Sequence, residues 1–349
     1  MARTNSLPGR LFAVILAGII AGCTGLQYAG NPGAVATRPS EPVLKTVALD
    51  RALEDRILAL DPDRVTPEDI RDTLSKAPAP RIILLHGGVF PVHLAMTSFA
   101  HFLIAMGYPE ASLRDPRDGS LSTSSYTASE QLAGTIAWYY ENDGMRPMLI
   151  GHSQGGMLVV RTLHELAGAF HDEVPVYDPV ADAALPRTTI RDPYTHVQRP
   201  VVGLRVSFAA ALATGALPRL LLGQWTMLPK LRKIPDTTLD FTGFTVPWDP
   251  IAGNFGTGTP YVALGTAEVR NVTLPATHSH IGLPITEHLA ANPVTRAWIE
   301  AYRPDAIPPM PDAADVDVRN LLHAADLWYS IRAHWCSEGL RRRASEAAT

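Results

Sequence analysis

Cysteine is almost missing from this chain. Only Cys23 and Cys336 occur in 349 residues, so disulfides cannot frame the fold and stability has to come from a buried core. Net charge is scarce too: the formal balance is −4, with 30 basic against 34 acidic residues, and the basic run Arg341 to Arg343 stands near the end. Such a balance implies no nucleic-acid partner. Long apolar runs are lacking as well. Leu11 to Ile20 spans ten residues, about half of what a membrane-crossing helix needs. With Arg3 and Arg10 before it and Ala21, Gly22, Cys23 after it, the run reads instead as an export signal with a small-residue cleavage site. From Thr24 to Pro42, Gly, Pro, Ser and Ala dominate, as in a flexible tether. What remains is long, and nearly half of the chain is apolar, with 46% hydrophobic residues. A chain of this size can bury about three quarters of its unfolded surface in one large domain.

The stretch that organises the rest is Gly151 to Gly156, GHSQGG. The apolar run Met148, Leu149, Ile150 precedes it, and an apolar helix from Met157 to Ala167, stopped by Gly168, follows. A strand, a sharp turn and a helix hold a side chain at the turn clear of its neighbours, and glycines two residues either side leave room for the packing. Ser153 is therefore the candidate nucleophile, with Gly151 and Gly155 as the elbow glycines and the amide of Gln154 available to an oxyanion at the helix N-terminus. GxSxG alone arises too often by chance to decide. An acyl-transfer site also needs an oxyanion loop upstream, and an acid and a histidine downstream, each at the end of a strand.

Upstream, Leu49, Leu53, Ile57 and Leu60 repeat at helical spacing, and Thr66, Pro67 and Asp69 open a second short helix. Both are packing elements. Arg81 to His86 is the first buried strand, continuously apolar as expected where both sheet faces are covered. It ends in His86-Gly87-Gly88-Val89-Phe90, a loop in which Gly88 or Val89 can offer an oxyanion amide and His86 braces the turn. A helix follows over 95–106. After a loop over 109–125, Thr127 and Glu130 form a capping box for the next helix, which leads into the elbow strand. This βαβ alternation predicts an α/β fold with a mainly parallel sheet and helices on both faces.

Downstream, residues 169–200 are rich in Pro, Asp and His and are expected to be a loop or part of a cap. Val201 to Phe208 returns to strand, and Ala209 to Leu222 is expected as a helix. The apolar stretch with Trp225, Met227, Leu228 and Leu231 is either a core helix or a lid. The strand Phe241 to Val246 ends in Pro247-Trp248-Asp249-Pro250, which makes Asp249 the candidate acid. Asp236 and Asp240 precede the strand or begin it, at the opposite edge from the site. Further strands over 261–264 and 269–274 lead to Ala276-Thr277-His278-Ser279-His280-Ile281-Gly282-Leu283. His280, followed by a helix over 293–302, is the candidate general base and His278 the alternative. The two histidines sit at alternate positions, as a metal pair can, yet no motif offers a third ligand, so no metal is expected. Gly253 to Gly258, GNFGTG, is GxxGxG in the wrong place for a dinucleotide, so no cofactor is expected either. After the proline-rich 304–315, residues 317–343 form a C-terminal helix that docks on the domain.

Taken in order, these pieces resemble the α/β-hydrolase superfamily over residues 80–302, and the elbow resembles that of its lipases and esterases. The resemblance implies an α/β-hydrolase fold, a Ser153–Asp249–His280 triad and hydrolysis of a carboxylic ester through an acyl-enzyme. Thioesterase, lactonase, peptidase and acyltransferase activities share that triad, and a non-catalytic binding module of the cell envelope can share the fold. Serine at 153 argues against the dehalogenase and epoxide hydrolase branches, whose nucleophile is aspartate. Separately, Ile20-Ala21-Gly22-Cys23 resembles the lipobox of bacterial lipoproteins, which implies cleavage before Cys23 and lipid attachment there. Thr24 as its neighbour favours the outer membrane where a cell has two. The expected division is a signal over 1–22, a tether over 23–45, an α/β domain over 46–302 with possible lid elements at 169–200 and 209–238, and a proline-rich linker with C-terminal helix over 303–349. An enzyme held near a bilayer in this way is expected to prefer hydrophobic acyl esters, with Trp225 to Leu231 extending an acyl pocket.

Overall fold

Ile82 to Leu85 form a strand without an exposed side chain, and that burial sets the plan of the fold. A computed structural model describes residues 49–88, 92–215, 225–254, 256–313 and 315–346. The signal, Cys23, the tether, Val89 and residues 216–224 lie outside the described residues. Residues 43–349 belong to one compact unit. In chain order its elements are α1 (Arg51–Leu58), α2 (Pro67–Asp72), β1 (Ile82–Leu85), α3 (Val92–Ala105), α4 (Ser129–Asp143), β2 (Met148–His152), α5 (Gln154–Leu166), β3 (Tyr177–Asp178), β4 (Ala183–Ala184), β5 (Thr189–Arg191), β6 (Gln198–Pro200), β7 (Val206–Leu212), β8 (Lys233–Ile234), β9 (Thr238–Thr245), β10 (Val262–Ala263), β11 (Glu268–Thr273), α6 (Glu287–Ala291), α7 (Pro293–Ala301) and α8 (Leu321–Glu346).

Five strands form the central sheet in the order β1-β2-β7-β9-β11, every neighbouring pair parallel. Successive side chains of a strand point to opposite faces, and here each face has its own core. Ile82 and Leu84 pack with α3 through Phe99 and Phe102 and with α8 through Trp328 and Trp335. Ile83 and Leu85 pack with Leu132 and Ile136 of α4 and with Val159 and Leu163 of α5. The protein is therefore a mixed α/β structure with helices on both faces of a parallel sheet, which explains the apolar runs without alternation.

The chain reverses direction around β1. After α3 it runs along the outer edge of β1, where the Thr123 amide donates to Leu84 O at 2.7 Å and His86 donates to Thr123 O at 3.1 Å. It then crosses by α4 to the opposite face and returns as β2 on the inner edge. Open α/β sheets bind ligands at the carboxyl ends of strands beside such a reversal. Ser153 stands at the end of β2.

Several local expectations change. The Thr66–Asp69 capping box forms, but α4 starts at Ser129 with Ala128 as its cap and no side-chain bond, so Thr127 and Glu130 do not close a second box. No helix begins at Ala209. β7 continues to Leu212, and its alanines are wholly buried between β2 and β9, where strand pairing overrides their helix preference. Among its described residues the apolar stretch after it forms one short 3-10 turn, Trp225–Met227, rather than a core α-helix; Met227 and Ile234 are buried in the core beside α5, and His164 of α5 bonds to Lys230 O and Lys233 O. Residues 169–200 form two small antiparallel hairpins, β3-β4 and β5-β6. They pack on the outside of α4, where Arg187 pairs with Glu141, and not as a loop over the sheet end. Relative to the docking helix expected over 317–343, α8 is shifted a few residues toward the C-terminus, running from Leu321 to Glu346, and lies in the first core. Among the described residues no helix is long and apolar enough to cross a membrane.

Candidate active site

The turn between β2 and α5 is tight enough to select its residues. Ser153 has φ 55° and ψ −117°, a region that a residue with a side chain occupies only where the surroundings force it. Its amide donates to Leu212 O at 2.8 Å, which fixes the turn against β7. A Cβ on Gly151 would come within 2.3 Å of Gly155 O, and one on Gly155 within 2.1 Å of Leu85 O. Both elbow glycines are thus sites where backbone meets backbone. Gly156, which sequence reasoning passed over, is tight against a side chain first: its Cβ would stand 2.1 Å from Thr214 Oγ1 and 2.9 Å from Gly151 O. The signal was present in the doubled glycine of the motif.

The loop after β1 lies against this turn. Built on Gly87, a Cβ would be 3.3 Å from the Cβ of Ser153, and on Gly88 it would overlap Gln154 Oε1 at 1.9 Å. Tyr126 donates its hydroxyl to Gly88 O at 3.0 Å and so fixes that peptide. Gln154 opens α5, where the first four amides of a helix have no acceptor within it, and its side chain lies against Gly88. Val89 is outside the described residues. His86 braces the loop, with Nδ1 3.1 Å from Ser122 Oγ. Burial, with His93 nearby, lowers its pKa to about 4, which keeps the ring neutral.

Asp249 and His280 reach Ser153 from the ends of β9 and β11. His280 Nδ1–H donates to Asp249 Oδ2 at 2.6 Å, and its Nε2 lies 2.9 Å from Ser153 Oγ. With the proton on Nδ1 fixed by the carboxylate, Nε2 of the neutral ring is a bare acceptor for the serine hydroxyl. Asp249 is buried, which alone would raise its pKa. The hydrogen bond from His280, with those from the amides of Ala252 and Ile251, holds it below the ordinary carboxylate value instead. The GNFGTG stretch closes this acid loop: Asn254 donates to Asp249 O at 2.8 Å and Trp248 to Gly256 O at 3.1 Å.

The rival residues are engaged elsewhere. Asp236 accepts the amides of Thr266 and Ala267, and Asp240 pairs with His334. Both ring nitrogens of His278 face carbonyls, Pro275 O at 2.9 Å and Arg319 O at 2.6 Å. His278 and His280 therefore aim at different partners and do not converge as a metal pair would. Sequence reasoning also missed His152, wholly buried between Gly151 and Ser153, whose Nε2–H donates to the backbone O of His280 at 2.7 Å. Its burial, together with the His280 ring, lowers its pKa to about 3. Nothing in the motif pattern marks that bond, because it closes between segments 128 residues apart.

Around the site the surface is mixed. A cavity of about 550 Å³ opens against Gly87 and Gly88 and is lined among others by His86, His93, Thr97, His101 and Ser122. On the acid and base side, Trp248, Ile251 and Ile281 are exposed. Trp248, with φ 56°, is held there by the same turn that carries Asp249. No family model, curated protein or solved structure matches the chain. The arrangement itself offers a hydroxyl hydrogen-bonded to a base, a base fixed by a buried carboxylate, and amides beside the hydroxyl. That set can deprotonate a nucleophile and stabilise an oxyanion.

Proposed function

We propose that the protein is a serine hydrolase of carboxylic esters on an α/β-hydrolase fold, working through an acyl-enzyme. One observation carries the reading: Asp249, His280 and Ser153 form a continuous hydrogen-bonded chain of 2.6 and 2.9 Å at the strand ends beside the reversal around β1. His280 takes the proton of Ser153 as Oγ attacks the ester carbonyl, and Asp249 stabilises the imidazolium. The amides of Gln154 and of Gly88 or Val89 receive the oxyanion. His280 then returns the proton to the departing alcohol, and a water repeats the sequence to release the acid. Thioesters, lactones, peptides and acyl acceptors fit the same chemistry.

For the acyl group we propose a hydrophobic chain, supported by Trp248, Ile251 and Ile281 beside the acid and base. Lipid attachment at Cys23 and export to the cell envelope, proposed from the lipobox-like Ile20 to Cys23, would bring such esters near. A fluorophosphonate probe, which needs no knowledge of the substrate, tests the core of the reading. The folded protein should be labelled at Ser153 and should hydrolyse p-nitrophenyl esters with a maximum at medium or long chains. Inertness toward both reagents defeats the hydrolase reading and favours a binding module, while labelling with a maximum at acetate defeats only the acyl preference.

A further inference from the structure

The loop over 275–285, which carries His280, runs from the end of β11 to the turn before α6 without strand or helix. Its internal backbone hydrogen bonds, among the described residues, join His278 N to Pro275 O and Ile285 N to Gly282 O. Carbonyls in such a segment have to find donors outside it. Thr286 Oγ1, next along the chain, donates to Pro284 O at 3.3 Å, and four more carbonyls find donors on three side chains remote in sequence. His152 Nε2–H donates to His280 O at 2.7 Å, Asn320 Nδ2 donates to Gly282 O at 2.8 Å and Ile285 O at 2.9 Å, and His323 Nε2–H donates to Leu283 O at 2.7 Å. His152 comes from the elbow, one residue before the nucleophile. Asn320 and His323 come from the start of α8.

The two histidines are unusual occupants of their places. Each is buried, and each leaves Nδ1 with no hydrogen-bond partner among the described residues. An orphaned ring nitrogen in a core is a cost that an apolar side chain of similar size avoids. What an imidazole supplies there and a hydrocarbon does not is the Nε2–H that meets a loop carbonyl. Asn320 repeats the pattern with both hydrogens of one amide nitrogen.

We propose that His152, Asn320 and His323 are positioning residues that hold Nε2 of His280 on Ser153 Oγ. His152 ties the base to the peptide preceding the nucleophile, so that the two reacting groups share one frame. Asn320 and His323 make the start of α8 part of that frame. The inference rests on the serine-hydrolase reading. None of the three touches a reacting atom. Their effect is on geometry, and a displacement near 1 Å costs on the order of a hundredfold in rate.

The test compares steady-state hydrolysis of a p-nitrophenyl ester, the rate of fluorophosphonate labelling and urea unfolding for wild type, His152→Met, His152→Gln and Asn320→Asp. His152→Met should lower kcat and the labelling rate by about a hundredfold with little change in KM, because the lost alignment matters only as the proton moves. His152→Gln, whose amide N–H can reach the same carbonyl, should restore most of that loss. Asn320→Asp keeps the size and removes the donor at a half-buried position, and should cost about tenfold. A role confined to stability would lower the unfolding midpoint and leave kcat of the folded protein unchanged. Wild-type kcat in folded His152→Met overturns the role of His152, and wild-type kcat in Asn320→Asp overturns that of α8. Should His152→Met not fold, His152→Leu takes its place as the donor-less variant: wild-type kcat in it overturns the role of His152, and wild-type kcat in Asn320→Asp still overturns that of α8. A wild-type protein that neither labels nor turns over defeats the underlying hydrolase reading, whereas normal labelling in every variant defeats the positioning alone.

Discussion

The two halves of the site are built by different means. Ser153 and its elbow are positioned by backbone packed on backbone: Gly155 on Leu85 O, Gly151 on Gly155 O, the Ser153 amide on Leu212 O. Asp249 and His280 lie on irregular loops whose polar groups are satisfied one by one, by the amides of Ile251 and Ala252 and by the side chains of His152, Asn320 and His323. The first construction tolerates almost no added volume. The second tolerates volume and depends on donors. Substitutions at the elbow glycines should therefore separate stability from chemistry poorly, and substitutions in the base half should separate them well.

The largest effect expected is on the reacting groups themselves, where the contrast vanishes. Ser153→Ala and His280→Ala should each lower turnover of a p-nitrophenyl ester by about four to six orders of magnitude, since members of a triad fail as a unit. His278→Ala, which removes contacts to Pro275 O and Arg319 O and an edge-on contact with the His323 ring but none with Ser153 or Asp249, should lose far less. Steady-state rates of the three variants, with folding checked by circular dichroism, measure this directly, and a dead His278→Ala beside an active His280→Ala would reverse the assignment. Next comes Asp249→Asn. The amide can present a donor to Nδ1 and so favour the wrong tautomer, at a cost of about 10⁴ in kcat. A loss below tenfold would mean that the buried carboxylate does not set the tautomer.

How much of this could be read beforehand follows the same division. Ser153, Gly151 and Gly155 were legible because backbone contact demands glycine at fixed spacing, and spacing is visible in a sequence. The buried strands were legible wherever Ile82 to Leu85 or Met148 to Ile150 ran apolar without alternation. Asp249 and His280 were legible only through their order after the elbow, and His278 stayed a rival because a loop carries no period. His152, Asn320 and His323 were not legible at all. Their bonds close between segments far apart in the chain, and a lone histidine or asparagine looks the same whether it faces a carbonyl or water. β7 was misread past Ala209 for a related reason: three successive alanines prefer helix locally, and only the neighbours β2 and β9 make them strand.

Within the nucleophile half, two glycines sharpen the contrast. Gly155→Ala places a methyl 2.1 Å from Leu85 O, a backbone atom that can move only with β1. The expected loss is about 3 kcal/mol or more, at the upper end of the range for overpacking, with activity falling alongside. At Gly87 the nearest atoms are side-chain carbons, Val92 Cγ1 at 3.2 Å and Ser153 Cβ at 3.3 Å. Gly87→Ala should fold with a loss below about 1 kcal/mol and show its effect in kcat instead. Urea midpoints set against rates for the two variants give the answer, and equal destabilisation would mean that the loop after β1 is packed as tightly as the elbow.

The last effect concerns acid stability, and it follows from the donors of the base half. Burial lowers His152 to about 3 and His323 to about 4, in the latter against the opposing pull of its bond to Leu283 O. Both remain neutral in the folded protein at pH 5, whereas in the unfolded chain a histidine takes up its proton below about 6.5. The unfolded state therefore binds more protons over this window, and stability falls as the pH drops from about 6.5 toward the folded values. At pH 5 each buried histidine should cost about 2 kcal/mol relative to pH 7.5. Asp249 adds nothing in this window, because its carboxyl lies below the ordinary carboxylate value and is ionised in both states above pH 5. The measurement is the difference in unfolding free energy between pH 7.5 and 5 for wild type and for His152→Gln, which keeps a donor for His280 O but cannot titrate. Wild type should lose about 2 kcal/mol more than the variant on acidification. An identical loss in both would mean that His152 is protonated in the folded protein, and the neutral Nε2–H donor assigned to it would have to be withdrawn.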